Sequence, residues 1–335
     1  RLTIRVLAPG RVNLIGDHTD YTGGLVLPMA IDRYTEITGW REGHRVQLHS
    51  VDEADDVDLP LTIDEPSAVT PAWGRYVAGV VAEVRPRIGF HGAVSTDIPI
   101  GAGLSSSAAL EVAVAMALGH DGDVFDLATA CQRAEQRASG VPCGIMDQLC
   151  VAAGVEGHAL LIDCGTLTID PVPVPEDVEV VVQFVAHRTL VGSPYADRVA
   201  ECAAAEAEIG PLRTASRNDA TRVTDPIVRL RALHVAEENQ RVRDFAAALR
   251  AHDLAEAGRL MVASHHSLAN QYHTSTAQMD AAVDALCATP GVYGARMTGG
   301  GFGGCVVALA EPGALGQGWV VRAVDGARSS DSGRG

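Results

Sequence analysis

Residues 8–30 read Ala-Pro-Gly-Arg-Val-Asn-Leu-Ile-Gly-Asp-His-Thr-Asp-Tyr-Thr-Gly-Gly-Leu-Val-Leu-Pro-Met-Ala, with Arg11, Asp17, His18, Asp20 and Tyr21 crowded into eleven positions. Carboxylates beside an imidazole suit a polyhydroxylated ligand, because each carboxylate accepts bonds from two adjacent hydroxyls. An arginine adds a fixed positive charge near a reacting oxygen. The same residues also suit a plain polar loop, since Asn13 and Asp17 can form Asx turns unaided. Another acid, Asp147, lies between Met146 and Gln148 in the segment Gly140-Val-Pro-Cys-Gly-Ile-Met-Asp-Gln148. In so apolar a neighbourhood a carboxylate must be paired, capping a helix or reacting to offset its desolvation.

Two glycine-rich segments flank this chemistry. Residues 99–110, Pro-Ile-Gly-Ala-Gly-Leu-Ser-Ser-Ser-Ala-Ala-Leu, lead into an apolar helical run over 110–118. Gly101 and Gly103 let the backbone approach a ligand closely, and a helix start offers unpaired N–H groups and a positive dipole end. Together they suit a phosphate, although a loop with an N-cap would need only one of the three serines. Residues 299–304 hold five glycines in six positions ahead of an apolar strand over 305–309, as expected of a loop that closes over a ligand. The chain has no lysine, all 26 of its basic residues being arginine. That removes Walker loops, protein-kinase lobes and Schiff-base chemistry. A dinucleotide fingerprint is weak, because Ser106 stands where its third glycine belongs.

The elements that must position these groups alternate between strand and helix periods, which points to an α/β chain. Strand patterns cover 2–7, 25–31, 93–97 and 159–162; helical patterns cover 75–84, 106–118 and 124–138, the last carrying Glu135. Pro171-Val-Pro-Val-Pro175 reads as a stiff junction between a domain over 1–170 and one over 171–328. Beyond it, 178–186 reads as a strand and 195–208 and 224–286 as mainly helical, with a polar interruption over 215–224. Residues 329–335 read as a disordered tail.

At 335 residues and 47% hydrophobic content the chain can bury a large aliphatic core. No apolar run approaches the ~20 residues of a membrane span and no leader pattern opens it, so a cytoplasmic location is expected. Seven scattered cysteines read as reduced core thiols. A net charge of −16 argues against nucleic acid as a partner. Arg213, Arg217, Arg222, Arg229 and Arg231, interspersed with acids, read as a solvated helical face, and His265, His266 and His273 as structural polar groups.

The four segments, in this order, resemble the GHMP small-molecule kinases, and most closely the branch that phosphorylates galactose. The match rests on residues 10–21, 99–109, 144–148 and 297–305, with further similarity over 193–202, 258–265 and 325–327, and so covers nearly the whole chain. It implies a two-domain α/β (α+β) fold with the active site in the interdomain cleft. It also implies an ATP- and Mg2+-dependent kinase that phosphorylates the anomeric hydroxyl of galactose. By the resemblance, Asp147 is the base and Arg11 the adjacent cation. Ser107 and Glu135 hold magnesium, and Gly101, Gly103, Leu104, Ser105, Ser106, Ser107 and Ala108 surround ATP. Asp17, His18, Asp20, Gly144, Tyr195 and Gly300 surround the sugar. A monomer without membrane or nucleic-acid partners is expected. One position departs from the pattern: Asp17 replaces the branch's usual glutamate, shortening a carboxylate by one methylene. That leaves room for another sugar, such as N-acetylgalactosamine or L-arabinose, or for a non-catalytic sugar sensor.

Overall fold

The computed structural model describes residues 2–188 and 190–333. In the N-terminal lobe the elements run β1 (Leu2–Asn13), β2 (Leu25–Val26), β3 (Pro28–Arg41), β4 (Arg45–Ser50), β5 (Val57–Pro60), α1 (Gly74–Val84), β6 (Phe90–Thr96), α2 (Ser106–Leu118), α3 (Val124–Ser139), α4 (Met146–Ala153), β7 (His158–Asp163) and β8 (Thr168–Pro173). The C-terminal lobe follows with β9 (Glu179–Ala186), α5 (Tyr195–Ile209), α6 (Arg217–Ala220), α7 (Pro226–Arg250), α8 (Leu254–Ser267), α9 (Ala277–Cys287), β10 (Val292–Thr298), β11 (Gly304–Ala310) and β12 (Trp319–Val321). Last comes β13 (Arg328–Gly333), which returns to the first lobe.

Three sheets result, ordered β13-β1-β3-β6-β4-β5, β2-β7-β8 and β10-β11-β9-β12. Helix α2 is apolar almost all round and correspondingly buried, with Ala109, Val112 and Ala113 in the core against the largest sheet. Helix α3 starts where the Asp123 carboxylate accepts from the Phe125 and Asp126 N–H groups at 2.8 and 2.9 Å. The main core runs through both lobes, joining Val6, Ile37 and Val112 to Val182, Phe245 and Leu309.

The structure corrects three expectations. The strand pattern over 25–31 is split at Leu27: β2 pairs with β7, whereas β3 pairs with β1. Leu27 itself exchanges backbone bonds with Leu14 and Ile15, which pulls it out of either ladder. The proline stretch is not a free junction, because Pro171 and Pro173 sit on β8 opposite Leu160 and His158. β8 is an edge strand, where a missing N–H is tolerated, so the division placed at 170/171 falls inside a strand. The tail expected to be disordered forms β13 over 328–333, antiparallel to β1; its last two residues lie outside the described ones.

Register shifts between Pro9 and Gly10 of β1, where Gly10 pairs with Ile31 after Pro9 pairs with Tyr34. Such an irregularity re-aims the side chains beyond it. Here it brings Gly10 and Arg11 against the glycine loop, and the Arg11 N–H donates to the Leu104 carbonyl at 3.1 Å.

Candidate active site

A cavity of about 600 Å³ lies between the lobes, lined by both glycine-rich loops, the 17–20 segment and the start of α4. Asp147 stands in the first turn of α4, where the helix dipole favours a carboxylate. Arg11 clamps it at both oxygens, Nε to Oδ1 at 2.7 Å and Nη2 to Oδ2 at 2.8 Å, while its Nη1 donates to the Gly103 carbonyl at 2.7 Å. The arginine is buried and the aspartate only partly, so the pair presents the carboxylate, not the cation, to the cleft. Although burial opposes its charge, the Asp147 carboxylate holds Arg11 above its ordinary pKa.

The three serines divide their tasks. Ser105 takes a left-handed conformation, φ 62°, and makes no side-chain cap; its hydroxyl donates to Asp147 Oδ2 at 2.6 Å. Ser106 lines the cleft, and Ser107 donates to Glu135 Oε1 at 3.0 Å. Burial and the nearby Asp147 charge raise Glu135 to about 7. Gln148 lies behind this pair, its amide N–H groups donating to Glu135 Oε2 at 2.6 Å and Glu111 Oε2 at 3.1 Å. Glu111 is fully buried, and burial together with the Glu135 charge pushes its pKa well above the ordinary carboxylate value. Leu104 and Ala108 sit off the cavity lining, in the core, so the structure gives their side chains no place in the cleft.

At the other end of the cleft the short loop after β1 folds against the second lobe. Asp17 is 1% exposed and lies at the cavity wall. Its Oδ1 accepts from the Gly299 N–H at 3.1 Å and its Oδ2 lies 2.6 Å from Arg296 Nη2. Asn13 lies beside that ion pair, and its side chain also acts on the Asp17 carboxylate. His18 has both ring nitrogens engaged, Nδ1 with the Tyr21 hydroxyl at 2.9 Å and Nε2 with the Gly300 carbonyl at 3.2 Å. A carbonyl can only accept, which assigns the proton to Nε2 and makes Tyr21 the donor to Nδ1. The chain continues from Tyr21 to the Tyr272 hydroxyl at 2.6 Å, and Tyr195 and Tyr272 pack on the imidazole. Burial, and next the His234 charge, hold the His18 pKa well below its ordinary value, so the ring is neutral.

Asp20 lines the cavity with its carboxylate over Gly144, where an added methyl group would come within 2.0 Å of Oδ2. Any larger residue there would have to move the Asp20 carboxylate. Burial, and next the Asp147 charge, raise Asp20 to about 7. The structure thus gathers Arg11, Asp17, His18, Asp20, Gly101, Gly103, Ser105, Ser106, Ser107, Glu135, Gly144, Asp147, Tyr195 and Gly300 around one cavity.

Sequence reasoning did not single out Arg188, which lines the cavity, or two buried charges behind it, Arg296 beside Asp17 and Glu111 bonded to Gln148. Arg296 precedes the third glycine segment and Glu111 sits on α2 amid apolar residues, a buried-charge signal that was available. Among the arginines expected on a solvated face, Arg231 is buried, bonded to Glu201 Oε2 at 2.7 Å. His265 is structural: its Nδ1 accepts from the Met297 N–H at 3.2 Å, steadying the strand that leads into the glycine loop.

A carboxylate clamped by arginine, a serine and glycine loop at a helix start, and a second glycine loop from the other lobe are the features of a small-molecule kinase of the GHMP class. Family models agree: the GHMP kinase N-terminal domain matches residues 75–155 and the C-terminal domain residues 245–317. The galactokinase galactose-binding signature matches residues 3–39. Galactokinase of Bos taurus is 42% identical over 330 residues, covering 92% of this chain and 84% of the relative. That of Roseiflexus is 44% identical over 332 residues, covering 91% and 83%. The crystal structure of Lactococcus lactis galactokinase complexed with galactose superposes with a TM-score of 0.90 at 30% identity, covering 97% of this chain and 95% of that one. The chain belongs to the galactokinase family.

Proposed function

We propose that this cleft moves the γ-phosphoryl group of ATP to the anomeric hydroxyl of galactose, giving galactose 1-phosphate and ADP. The Asp147 carboxylate carries the reading: Arg11 and Ser105 hold it open to the cavity, beside a loop built for phosphate. In the reaction Asp147 takes the hydroxyl proton, and the Arg11 charge beside it stabilises the incipient alkoxide. Asp20, Tyr195 and the backbone at Gly144 and Gly300 line the sugar end, and the neutral His18 fixes the loop carrying Gly300. Gly101, Gly103 and the helix start at Ser106 face the phosphates.

A magnesium ion fits the remaining donors. Ser107 and Glu135 offer one hydroxyl and one carboxylate, and among the described residues no cluster of three or more acidic, histidine or cysteine side chains could hold a metal unaided. Such a partial set suits a hard cation that takes its other ligands from phosphate and water, and that neutralises phosphate charge when bound. The seven cysteines, all unpaired, support a reducing, cytoplasmic setting. No helix among the described residues is long and apolar enough to cross a membrane.

One observation favours a second reading, a kinase of this fold for N-acetylgalactosamine or L-arabinose: Asp17 is shorter than the family's usual glutamate and is held at the seam by Arg296. A non-catalytic sensor finds no support, since a binding protein has no use for a clamped base. A coupled ADP-release assay across a sugar panel tests all three. Galactose is expected to give the highest kcat/KM. A tenfold preference for another sugar replaces galactose, and no ADP release with any sugar leaves the sensor.

A further inference from the structure

Gln148 follows the candidate base by one residue, but where Asp147 is partly exposed Gln148 is fully buried. It sits where α4 packs on both α2 and α3. Its Nε2 donates to Glu135 Oε2 on α3 at 2.6 Å and to Glu111 Oε2 on α2 at 3.1 Å. An amide nitrogen carries two hydrogens, one for each carboxyl group, and two carboxyl oxygens at these distances fix the atom as nitrogen rather than oxygen. Glu111 stands one turn beyond Ser107 on the same face of α2. Ser107 in turn donates to Glu135 Oε1 at 3.0 Å. Glu135 is thereby held at both oxygens, by Ser107 on one side and Gln148 on the other, which leaves its side chain little rotational freedom. Packing alone does not call for these bonds. The loop before α4 is already fastened to α3, because Gln132 Nε2 and Gln136 Nε2 both donate to the Cys143 carbonyl, at 3.1 and 2.9 Å. Leu149 and Cys150 of α4 also share an apolar cluster with Ala128 of α3. A methionine at 148 would fill the same space and would not require a buried carboxyl group, Glu111, on an otherwise apolar helix. What remains to be explained is a carboxylate fixed at both oxygens, and fixing of that kind is what a metal ligand needs.

We propose that Gln148, anchored by Glu111, is a positioning residue that holds the Glu135 carboxylate beside Ser107, so that the two receive magnesium together. This rests on reading Ser107 and Glu135 as the magnesium donors. Gln148 acts through Glu135, by fixing where that carboxylate stands. Because α4 carries Asp147 as well, the same bond sets the spacing between the metal donors and the base.

Calorimetry reads this role without turnover. A non-hydrolysable ATP analogue is titrated with magnesium and again in excess chelator, and the ratio of the two affinities is the gain due to the metal. Gln148→Met keeps the volume and removes the donor. It is expected to cut that gain about tenfold or more, while analogue affinity in chelator and galactose affinity stay within threefold of wild type. A gain cut less than about fivefold overturns the proposal. So does a loss beyond threefold in galactose affinity or in metal-free analogue affinity, the mark of a merely structural residue. Were Gln148→Met unstable, two substitutions of its anchor carry the test. Glu111→Gln keeps an acceptor for the Gln148 N–H, whereas Glu111→Leu keeps only bulk. A metal gain at least threefold smaller in Glu111→Leu than in Glu111→Gln supports the proposal, and gains closer than that overturn it. Glu135→Gln is the control for the underlying reading. If it removes the gain while Gln148→Met does not, the positioning role alone fails; if neither does, the magnesium reading fails and the proposal falls with it.

Discussion

The two bonds from Arg11 and the third from Ser105 leave Asp147 little freedom except to face the cavity, so its charge can be removed without altering its shape. Asp147→Asn is expected to lower kcat by about 10²-fold or more while calorimetry still detects sugar and nucleotide. Turnover within threefold of wild type would count against the base. Asp20 offers a pH signature. Burial and Asp147 raise it to about 7, against an ordinary 3.8, so the folded protein holds a proton there that the unfolded chain has released. Its contribution to stability therefore declines as pH rises from about 4 to about 7 and is flat above. Asp20→Asn should accordingly raise Tm by a few degrees at pH 8, less near pH 5, while KM for galactose rises at least tenfold. A Tm gain equal at both pH values would show that titration is not the cause. At Asp17 a carboxylate one methylene shorter than the family's usual glutamate is held by Arg296 and the Gly299 N–H. Asp17→Glu should preserve or raise kcat/KM for galactose, by no more than about tenfold, since one hydrogen bond contributes roughly 1 kcal/mol net. A loss above tenfold, with wild-type preference for another sugar, would remove galactose as the substrate.

At the scale of elements, what was legible followed from periodicity and punctuation. The Asp123 cap and Gly140 stop frame α3, and the apolar run behind the serines frames α2, so both could be read within a residue or two. The four site segments were legible because glycine, serine and paired charges are rarely so dense without a ligand. Tertiary decisions were not legible. Leu27 leaves the strand pattern because Ile15 and Leu14 bond it, Pro171 and Pro173 are admitted to β8 because it is an edge, and Arg328 to Gly333 become a strand only because β1 offers them a partner. The tight fit of Asp20 over Gly144 gives an element-level test. Gly144→Ala must push the carboxylate aside or shift the start of α4, so galactose KM should rise at least tenfold with AMP affinity unchanged. Unchanged KM would show that this loop does not position Asp20.

Across the whole molecule, the segment from Asn13 to Leu25 is stitched to the second lobe by bonds rather than by apolar packing alone. The Asn13 N–H donates to Thr298 Oγ1 at 3.1 Å, the Gly16 N–H to Glu238 Oε1 at 3.0 Å and the Leu25 N–H to Asn239 Oδ1 at 2.8 Å. His234 Nε2 meets the Asp17 carbonyl at 3.1 Å. Breaking this seam strands buried polar groups in both lobes at once, so the lobes should unfold together. In urea, loss of activity and loss of near-ultraviolet circular dichroism are expected to share one midpoint; activity lost well before structure would show a seam that opens alone.

That stitching also constrains how such an enzyme can diverge. Asp17, His18 and Asp20, proposed for the sugar end, belong to the same stretch that joins the lobes, so a mutation there that explores a new substrate weakens the assembly in the same stroke. Lineages changing specificity here would first have to accumulate surplus stability elsewhere, in α7 or the largest sheet, before the signature could drift. Asp17 tests that order of events: if it is a step toward another sugar, the Asp17→Glu reversion should stabilise the fold even where it costs activity.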